Sequence, residues 1–496
     1  MNPTKTLTVL SSAKQLAATH PGPSRHLLAL GVGLMLSACA VGPDYVRPTI
    51  DSPAQFKENK GWVQAAPLAV PAQGAWWKIF GDDTLNTLEP RVANANQSLR
   101  AAYFAYQQTL AQTDLVRAAE YPTLGVSASS IRSSTGTASA TTASEKTVSF
   151  TASWVPDLWG KVRRQVEANE ASAEASHDNL LAAQLSLQAT LAQDYFLIRQ
   201  ADSQIVLAQD TVTAYEKNLQ LTQNRYAAGV VTKADVAQAQ TQLANARVQL
   251  AAFNVQRPQL EHAIAVLVGE PPSNFTLPPV AALPQPQAIP AGLPSQLLLR
   301  RPDLGASERQ VAAANAQIGV AKSAYFPALT LSAQRGWRSP VLANLLTAPN
   351  VFWSVGPALA ETLFDAGARS AQVSQSQSAY QQVVAQYRQL SLQALQQVED
   401  QLAALSALAE EADLQQAAVA AADESLRLAT NQYKAGTVSY LNVITAQTAS
   451  YAARNGQLQT AGQRLTANVA LIQALGGGWE TNAQGAEATQ PGKAAN

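Results

Sequence analysis

Two periodicities run through the chain. Residues 161–228 and 368–435 are stretches of 68 residues without proline or glycine. In the first, apolar residues return every seven positions at Leu191, Ile198, Ile205, Val212, Leu219 and Tyr226; in the second they return at Val398, Leu405, Ala412, Val419, Leu426 and Tyr433. A seven-residue period sustained this long predicts left-handed coiled-coil packing of helices, each on the order of 100 Å at 1.5 Å per residue. The faces between carry Ala, Gln, Ser and Thr rather than ladders of Glu and Lys. Shorter helices are expected over 85–120, 233–268, 302–323 and 441–475, so that two short helices end to end match one long one. The second periodicity is alternation. Val148, Phe150, Ala152 and Trp154 alternate with Ser149, Thr151 and Ser153, and Leu329, Leu331 and Ala333 with Thr330, Ser332 and Gln334. Their hairpin partners are expected at 123–133 and 351–359.

The two long helices belong to a duplicated sequence, and repeats of this size decide architecture before local structure does. Asn224-Arg225-Tyr226-Ala227-Ala228-Gly229-Val230 returns 207 residues later as Asn431-Gln432-Tyr433-Lys434-Ala435-Gly436-Thr437, and Gly160 pairs with Gly367 at the same offset. The halves run about 85–270 and 296–478, each with one hairpin, at about 123–155 and 328–361. Joining them, 271–295 is a proline-rich strap with eight prolines between Pro271 and Pro294. Residues 39–84 precede the first half and 479–496 form a C-terminal tail. Gly229 and Gly436 end the long helices with C-cap chemistry, which makes the segments after them tight turns at one far tip.

Alternating strands of about this length suit a membrane β-barrel with apolar residues outward, and Trp154, Trp337 and Trp353 fit an interfacial girdle. Four strands cannot close a barrel, and an open edge is not tolerated in hydrocarbon. Either the hairpins are soluble or several chains share one barrel; the second reading is taken here. No run of ~20 apolar residues offers a membrane helix.

Only 14% of the 496 residues are charged, with 34 Lys+Arg against 34 Asp+Glu. Basic clusters of the kind nucleic acid requires are missing from the sequence. Residues 1–38 hold Lys5, Lys14 and Arg25 and no acid, followed by the apolar run Leu27 to Leu36, the order of a secretory signal. The sole cysteine, Cys39, follows directly in Leu36-Ser37-Ala38-Cys39, like a bacterial lipoprotein box whose thiol is diacylated and whose new amino terminus is then acylated. Ala40 in place of Asp favours outer-membrane delivery, and removal of the signal leaves the mature chain near −3. No Ser/His/Asp set, metal-ligand cluster or phosphate loop is present. An enzyme, a resident metal and a cofactor are therefore not expected, apart from diacylglycerol and an N-palmitoyl-type chain on Cys39.

Cys39-Ala40-Val41-Gly42-Pro43-Asp44-Tyr45, Trp76-Trp77-Lys78-Ile79-Phe80-Gly81, Leu299-Arg300-Arg301-Pro302-Asp303, Leu363-Phe364-Asp365-Ala366-Gly367 and the two Tyr-x-x-Gly tips resemble the TolC-type outer-membrane factors. The lipoprotein branch, called NodT-like or OprM-like, is the nearest in pattern. The resemblance implies a mixed α/β membrane channel. A homotrimer would build a 12-stranded barrel in outer-membrane lipid, four strands per chain, continuous with a coiled-coil α-helical periplasmic barrel and a mixed equatorial domain. It implies the exit duct of a tripartite efflux system, passively conducting drugs or other small molecules from an inner-membrane pump of the resistance-nodulation-division type through a periplasmic adaptor. The alternatives are type I protein secretion or, in a different class, a periplasmic coiled-coil adaptor lipoprotein. Carried over by position, Asp235, Tyr433, Tyr440 and Asn442 would form a mainly hydrogen-bonded gate. The family arginine past the second tip falls at Val438, and the turns at Gly229 and Gly436 would meet the adaptor.

Overall fold

A computed structural model describes residues 40–51, 53–58, 75–135, 141–284 and 300–477. Cys39, the signal segment, the second half of the strap and the C-terminal tail lie outside the described residues. The chain divides into two units. One comprises Glu120–Arg164 and Lys322–Ala366 with the residues just before Pro43; the other comprises Pro43–Ala119, Gln165–Ala321 and the chain from Gly367.

The first unit is a four-stranded antiparallel sheet in the order β1 (Thr123–Thr135), β2 (Thr141–Trp154), β3 (Ala328–Ser339), β4 (Val351–Ala360). The strands exceed the expected ones at their distal ends, where Ser and Thr on both faces leave little apolar alternation to mark them. Register decides what each face carries. Val126 pairs with Phe150, Phe150 with Arg335 and Arg335 with Trp353; Ala128 pairs with Val148, Val148 with Trp337 and Trp337 with Val351. One face therefore collects Leu124, Val126, Val148, Phe150, Leu331, Val355 and Leu359 with Trp154, Trp337 and Trp353, interrupted by Arg335 between Phe150 and Trp353. Leu124, Val355 and Trp353 on it are 84%, 71% and 73% exposed, and Trp337 is half-buried. Trp154 faces Leu331 near one end of the strands and Trp337 faces Val148 toward the other. Six residues of β3 separate these rungs, roughly 20 Å at 3.4 Å per residue, comparable to the ~25 Å apolar band of outer-membrane barrels. The opposite face is a polar ladder. The Ser127 and Ser149 hydroxyls lie 3.1 Å apart, and Gln334 Nε2 donates to Ser149 Oγ at 3.0 Å. Among the described residues both outer edges, β1 and β4, are unpaired.

The second unit is helical: α1 (Asp83–Ala95), α2 (Gln97–Arg117), α3 (Lys161–Ala227, whose first residues belong to the sheet unit), α4 (Lys233–Leu267), α5 (Pro302–Ser323), α6 (Ala368–Ala435) and α7 (Tyr440–Ala474). Among the described residues no helix is long and apolar enough to cross a membrane. The single helix expected over 85–120 is two. Asn96 adopts extended ψ 124° and ends α1; its side chain then accepts from Leu99 N at 3.0 Å to start α2 and donates to Leu267 O at 2.9 Å. The heptad stripes face inward unevenly. Leu191, Ile198, Val398 and Leu405 are buried; Ile205, Val212, Leu219, Ala412, Val419 and Leu426 are half-buried. At the last position the repeats part, with Tyr433 buried and Tyr226 47% exposed.

The main core gathers Leu191, Tyr195, Phe196, Val398, Leu402, Leu465 and Leu471 with Trp76, Trp77 and Phe80. Tyr195 donates to the Asp82 carboxylate at 2.7 Å, fixing α1 to α3. The described part of the strap is held by buried charges. Asp202 accepts from Arg257 Nε at 2.6 Å, Arg199 Nη1 at 3.3 Å and Val280 N at 2.9 Å, while Arg199 and Arg257 also donate to Pro278 O and Leu277 O. The chain following Cys39 is fixed too: Asn315 Nδ2 donates to Pro43 O at 2.9 Å and Tyr45 donates to Glu308.

Candidate functional site at the helical tips

The tips begin with two glycines in the left-handed region, Gly229 at φ +71° and Gly436 at φ +78°, where a Cβ is costly. Each lets the chain turn back on its helix. Val230 N donates to Arg225 O at 2.9 Å, and Thr437 N donates to Gln432 O at 3.0 Å, so each last turn satisfies a carbonyl that lacks a helical partner. Both glycines are exposed. Beyond the first turn, Thr232 and Asp235 form a reciprocal capping box. Thr232 N and Oγ1 each donate to Asp235 Oδ2 at 2.8 Å, and Asp235 N donates to Thr232 Oγ1 at 3.3 Å. At the second turn Ser439 precedes α7 without a side-chain cap, and Asn442 N donates to Ser439 O at 3.2 Å.

Behind the turns lies a small core of Ala239, Tyr433, Tyr440, Val443 and Ile444, with Leu219, Leu221 and Val438 packed against it. Helices α3, α4, α6 and α7 all contribute. The Tyr433 and Tyr440 rings lie 5.3 Å apart at 50°. Burial first, then the proximity of Tyr433, pushes the Tyr440 phenol up to about 12, so it is neutral at ordinary pH. The Tyr433 hydroxyl is buried without a hydrogen-bond partner among the described residues. Arg225 crosses from α3 to this core. Its Nη1 donates to Tyr433 O at 2.6 Å, and its Cζ lies 4.4 Å from the Tyr433 ring centroid.

Of the residues expected at the gate, the fold brings Tyr433 and Tyr440 together. Asp235 is half-buried and engaged with Thr232, and Asn442 is exposed; no hydrogen bond joins either to the tyrosines among the described residues. Arg225 was not singled out in the sequence. A signal was in the repeat itself, where Arg225 stands opposite Gln432, one of three differences between the tips with Ala227/Lys434 and Val230/Thr437. Farther from the turns, Asp423 accepts from Arg454 at 2.8 Å and from Ser450 Oγ at 2.6 Å, and the hydrogen bond from Arg454 holds its carboxyl below the usual range. Among the described residues no cluster of three or more His, Cys, Asp or Glu could hold a metal ion.

The model of the family described as "Outer membrane efflux protein" matches residues 90–270 and 293–477. The cation efflux system protein CusC of Escherichia coli is 30% identical over 466 residues, covering 92% of this chain and 99% of that protein. The toluene efflux pump outer membrane protein TtgC of Pseudomonas putida is 31% identical over 467 residues, covering 92% and 96%. The solved structure of the outer-membrane channel OprN superimposes with a TM-score of 0.83 at 28% identity, over 89% of this chain and 100% of that one. Two matched halves, a four-stranded sheet with an apolar face and paired long helices thus converge, and the chain belongs to the outer membrane efflux protein family, as the outer-membrane channel of an efflux system.

Proposed function

We propose that three copies of this chain join through β1 and β4 into one 12-stranded barrel, and that the assembly is the exit duct through which a periplasmic adaptor and an inner-membrane pump discharge small molecules. The observation that carries this is the sheet: one face apolar across its middle apart from Arg335, the other a serine and glutamine ladder, with both edges unpaired among the described residues. Such a sheet is stable in lipid only when closed, and closure by three copies gives an even strand number within the known range. Cys39, diacylated and N-acylated, adds an anchor of several chains at ~0.8 kcal/mol per buried CH₂. The chain performs no chemistry of its own; the pump, of the resistance-nodulation-division type, supplies the energy. Relatives at nearly equal identity carry names that specify cations in one case and toluene in another, which supports a duct that leaves substrate choice to its pump.

The tips are the regulated end. Tyr433, Tyr440 and Arg225 hold the two helical hairpins together, Asp235 fixes the start of α4, and the exposed Asn442 faces the bore or a neighbouring copy. The exposed turns at Gly229 and Gly436 take the adaptor. In-cell cross-linking from cysteines placed at Val230 and Thr437, followed by identification of the captured proteins, is the test. Capture of an adaptor supports the reading, and a monomer recovered from the inner-membrane fraction would point to an adaptor lipoprotein instead.

A further inference from the structure

The sheet unit contains one seam between the two repeats, the pairing of β2 with β3 from Lys146–Ser339 to Trp154–Leu331. Just beyond the strand ends this seam is closed by an aromatic clasp. Trp159 follows β2 and stacks on Phe326, which precedes β3, with ring centroids 4.9 Å apart and planes at 25°. The indole Nε1 also donates to Pro327 O at 2.8 Å. The clasp thus joins the lead-out of one hairpin to the lead-in of the other.

Aromatic side chains also flank the outer edges without each other, although the repeat register set by Gly160 and Gly367 puts Ala366 at the position of Trp159 and Phe364 two residues before it. Tyr121-Pro122 precedes β1 as Phe326-Pro327 precedes β3, with Tyr121 and Phe326 each two residues ahead of their strand. Leu363-Phe364 follows β4, with Phe364 four residues past Ala360 where Trp159 stands five past Trp154. Because β1 and β4 are the two ends of the sheet order, no fold of one chain joins these parts. Their exposure agrees: Phe364 is 86% exposed, Leu363 90% and Tyr121 66%. Phe326, in the closed clasp, is 38% exposed. Large apolar side chains left this bare beside an unpaired edge are unusual in a finished surface.

We propose that Phe364 of one copy stacks on Tyr121 of the neighbouring copy, forming at each seam between copies the clasp that Trp159 and Phe326 form within the chain. The occupant of the exposed Leu363-Phe364 segment is a second copy of this chain, because the Tyr-Pro element that complements it stands at the opposite edge of the same sheet. Pairing of β4 with β1 carries the two elements to each other as β2–β3 pairing does inside the chain. The inference rests on the shared-barrel reading. It adds that assembly is locked by side chains outside the strands as well as by strand hydrogen bonds.

The test uses the full-length chain in outer membranes, with cysteine pairs and a short bifunctional thiol reagent, dibromobimane. Tyr121→Cys with Phe364→Cys is expected to give covalent dimers and trimers on fully denaturing gels. Trp159→Cys with Phe326→Cys is expected to react within one chain and run as a monomer. A trimer band on semi-native gels without covalent oligomers from the Tyr121/Phe364 pair overturns the clasp and leaves the trimer standing. Absence of that band from the unaltered chain overturns both. Should the cysteine pair fail to assemble, Phe364→Leu and Tyr121→Leu decide the matter. Each is expected to lower the trimer's dissociation temperature, and the double variant by no more than one of them, because the two rings share one contact. Additive losses, or none, overturn the proposal.

Discussion

Arg225 holds Tyr433 at two points, donating Nη1 to its backbone oxygen at 2.6 Å while the guanidinium lies 4.4 Å from its ring centroid. The contact joins the end of α3 to the end of α6, the two helices whose last turns form the tips. Opening by separation of the hairpins must break it. A charged hydrogen bond contributes about 1.5–3 kcal/mol and a cation–π contact about 0.5–2 kcal/mol. Arg225→Ala is therefore expected to shift the tip toward open by about 2 kcal/mol, roughly 30-fold in population. Single-channel conductance should rise, and cells should become sensitive to large antibiotics that the outer membrane excludes. Arg225→Lys keeps the charge but not the planar stack, and should fall between the two.

Tyr433 and Tyr440 test what the ring does apart from its hydroxyl. The Tyr433 hydroxyl is buried with no partner among the described residues, an arrangement that costs about 1–3 kcal/mol. Tyr433→Phe keeps the ring against Tyr440 and Arg225, and is expected to leave closed-state conductance unchanged and heat stability equal or higher. Tyr433→Ala should open the channel. Opening by Tyr433→Phe as well would place a hydrogen bond to a neighbouring copy at the centre of the gate.

Asp202 is the hub that holds the strap, its side chain 1% exposed between Arg199 and Arg257. Asp202→Ala leaves the buried Arg199 guanidinium without its acid, while the half-buried Arg257 keeps Glu261, a loss of about 3 kcal/mol. The expected outcome is protease cleavage within 271–284 under conditions where the parent chain resists, read by mass spectrometry of the fragments.

Glu89 is fully buried, neither of its carboxyl oxygens has a partner, and burial pushes it up to about 9. The folded chain therefore keeps it protonated while the unfolded chain ionises it near its ordinary value of 4.5. Its contribution is fully present below about 4.5 and declines as pH rises toward about 9, at a slope of up to about 1.4 kcal/mol per pH unit. Glu89→Gln removes the ionisation. Thermal unfolding at pH 8 should favour the variant, and the advantage should vanish near pH 4; an equal difference at both pH values would contradict this.

The long helices and the existence of two hairpins were legible because nothing but periodicity and Gly/Pro punctuation determines them. The capping glycines place the ends of α3 and α6 to within a residue. Asn96 escaped because an asparagine inside an apolar-periodic stretch reads as a helix interior; its role depends on Leu267 O, 171 residues away. The outer ends of β1 and β2 were missed because Ser and Thr on both faces carry little apolar alternation. At the tips, Tyr433 and Tyr440 were reached through the resemblance to the outer-membrane factors, whereas Arg225 required the fold. A lone cation four residues before a capping glycine looks like ordinary helix C-terminal chemistry until α6 is laid beside it.

The central claim is that copies of this chain make one closed, conducting duct. Planar-bilayer recording on the purified full-length trimer tests it most directly. Discrete conductance steps are expected from the heat-dissociable trimer and none after its dissociation to monomers, with larger steps from Arg225→Ala. A trimer that inserts yet passes no ions in either the parent or the Arg225→Ala form would contradict it.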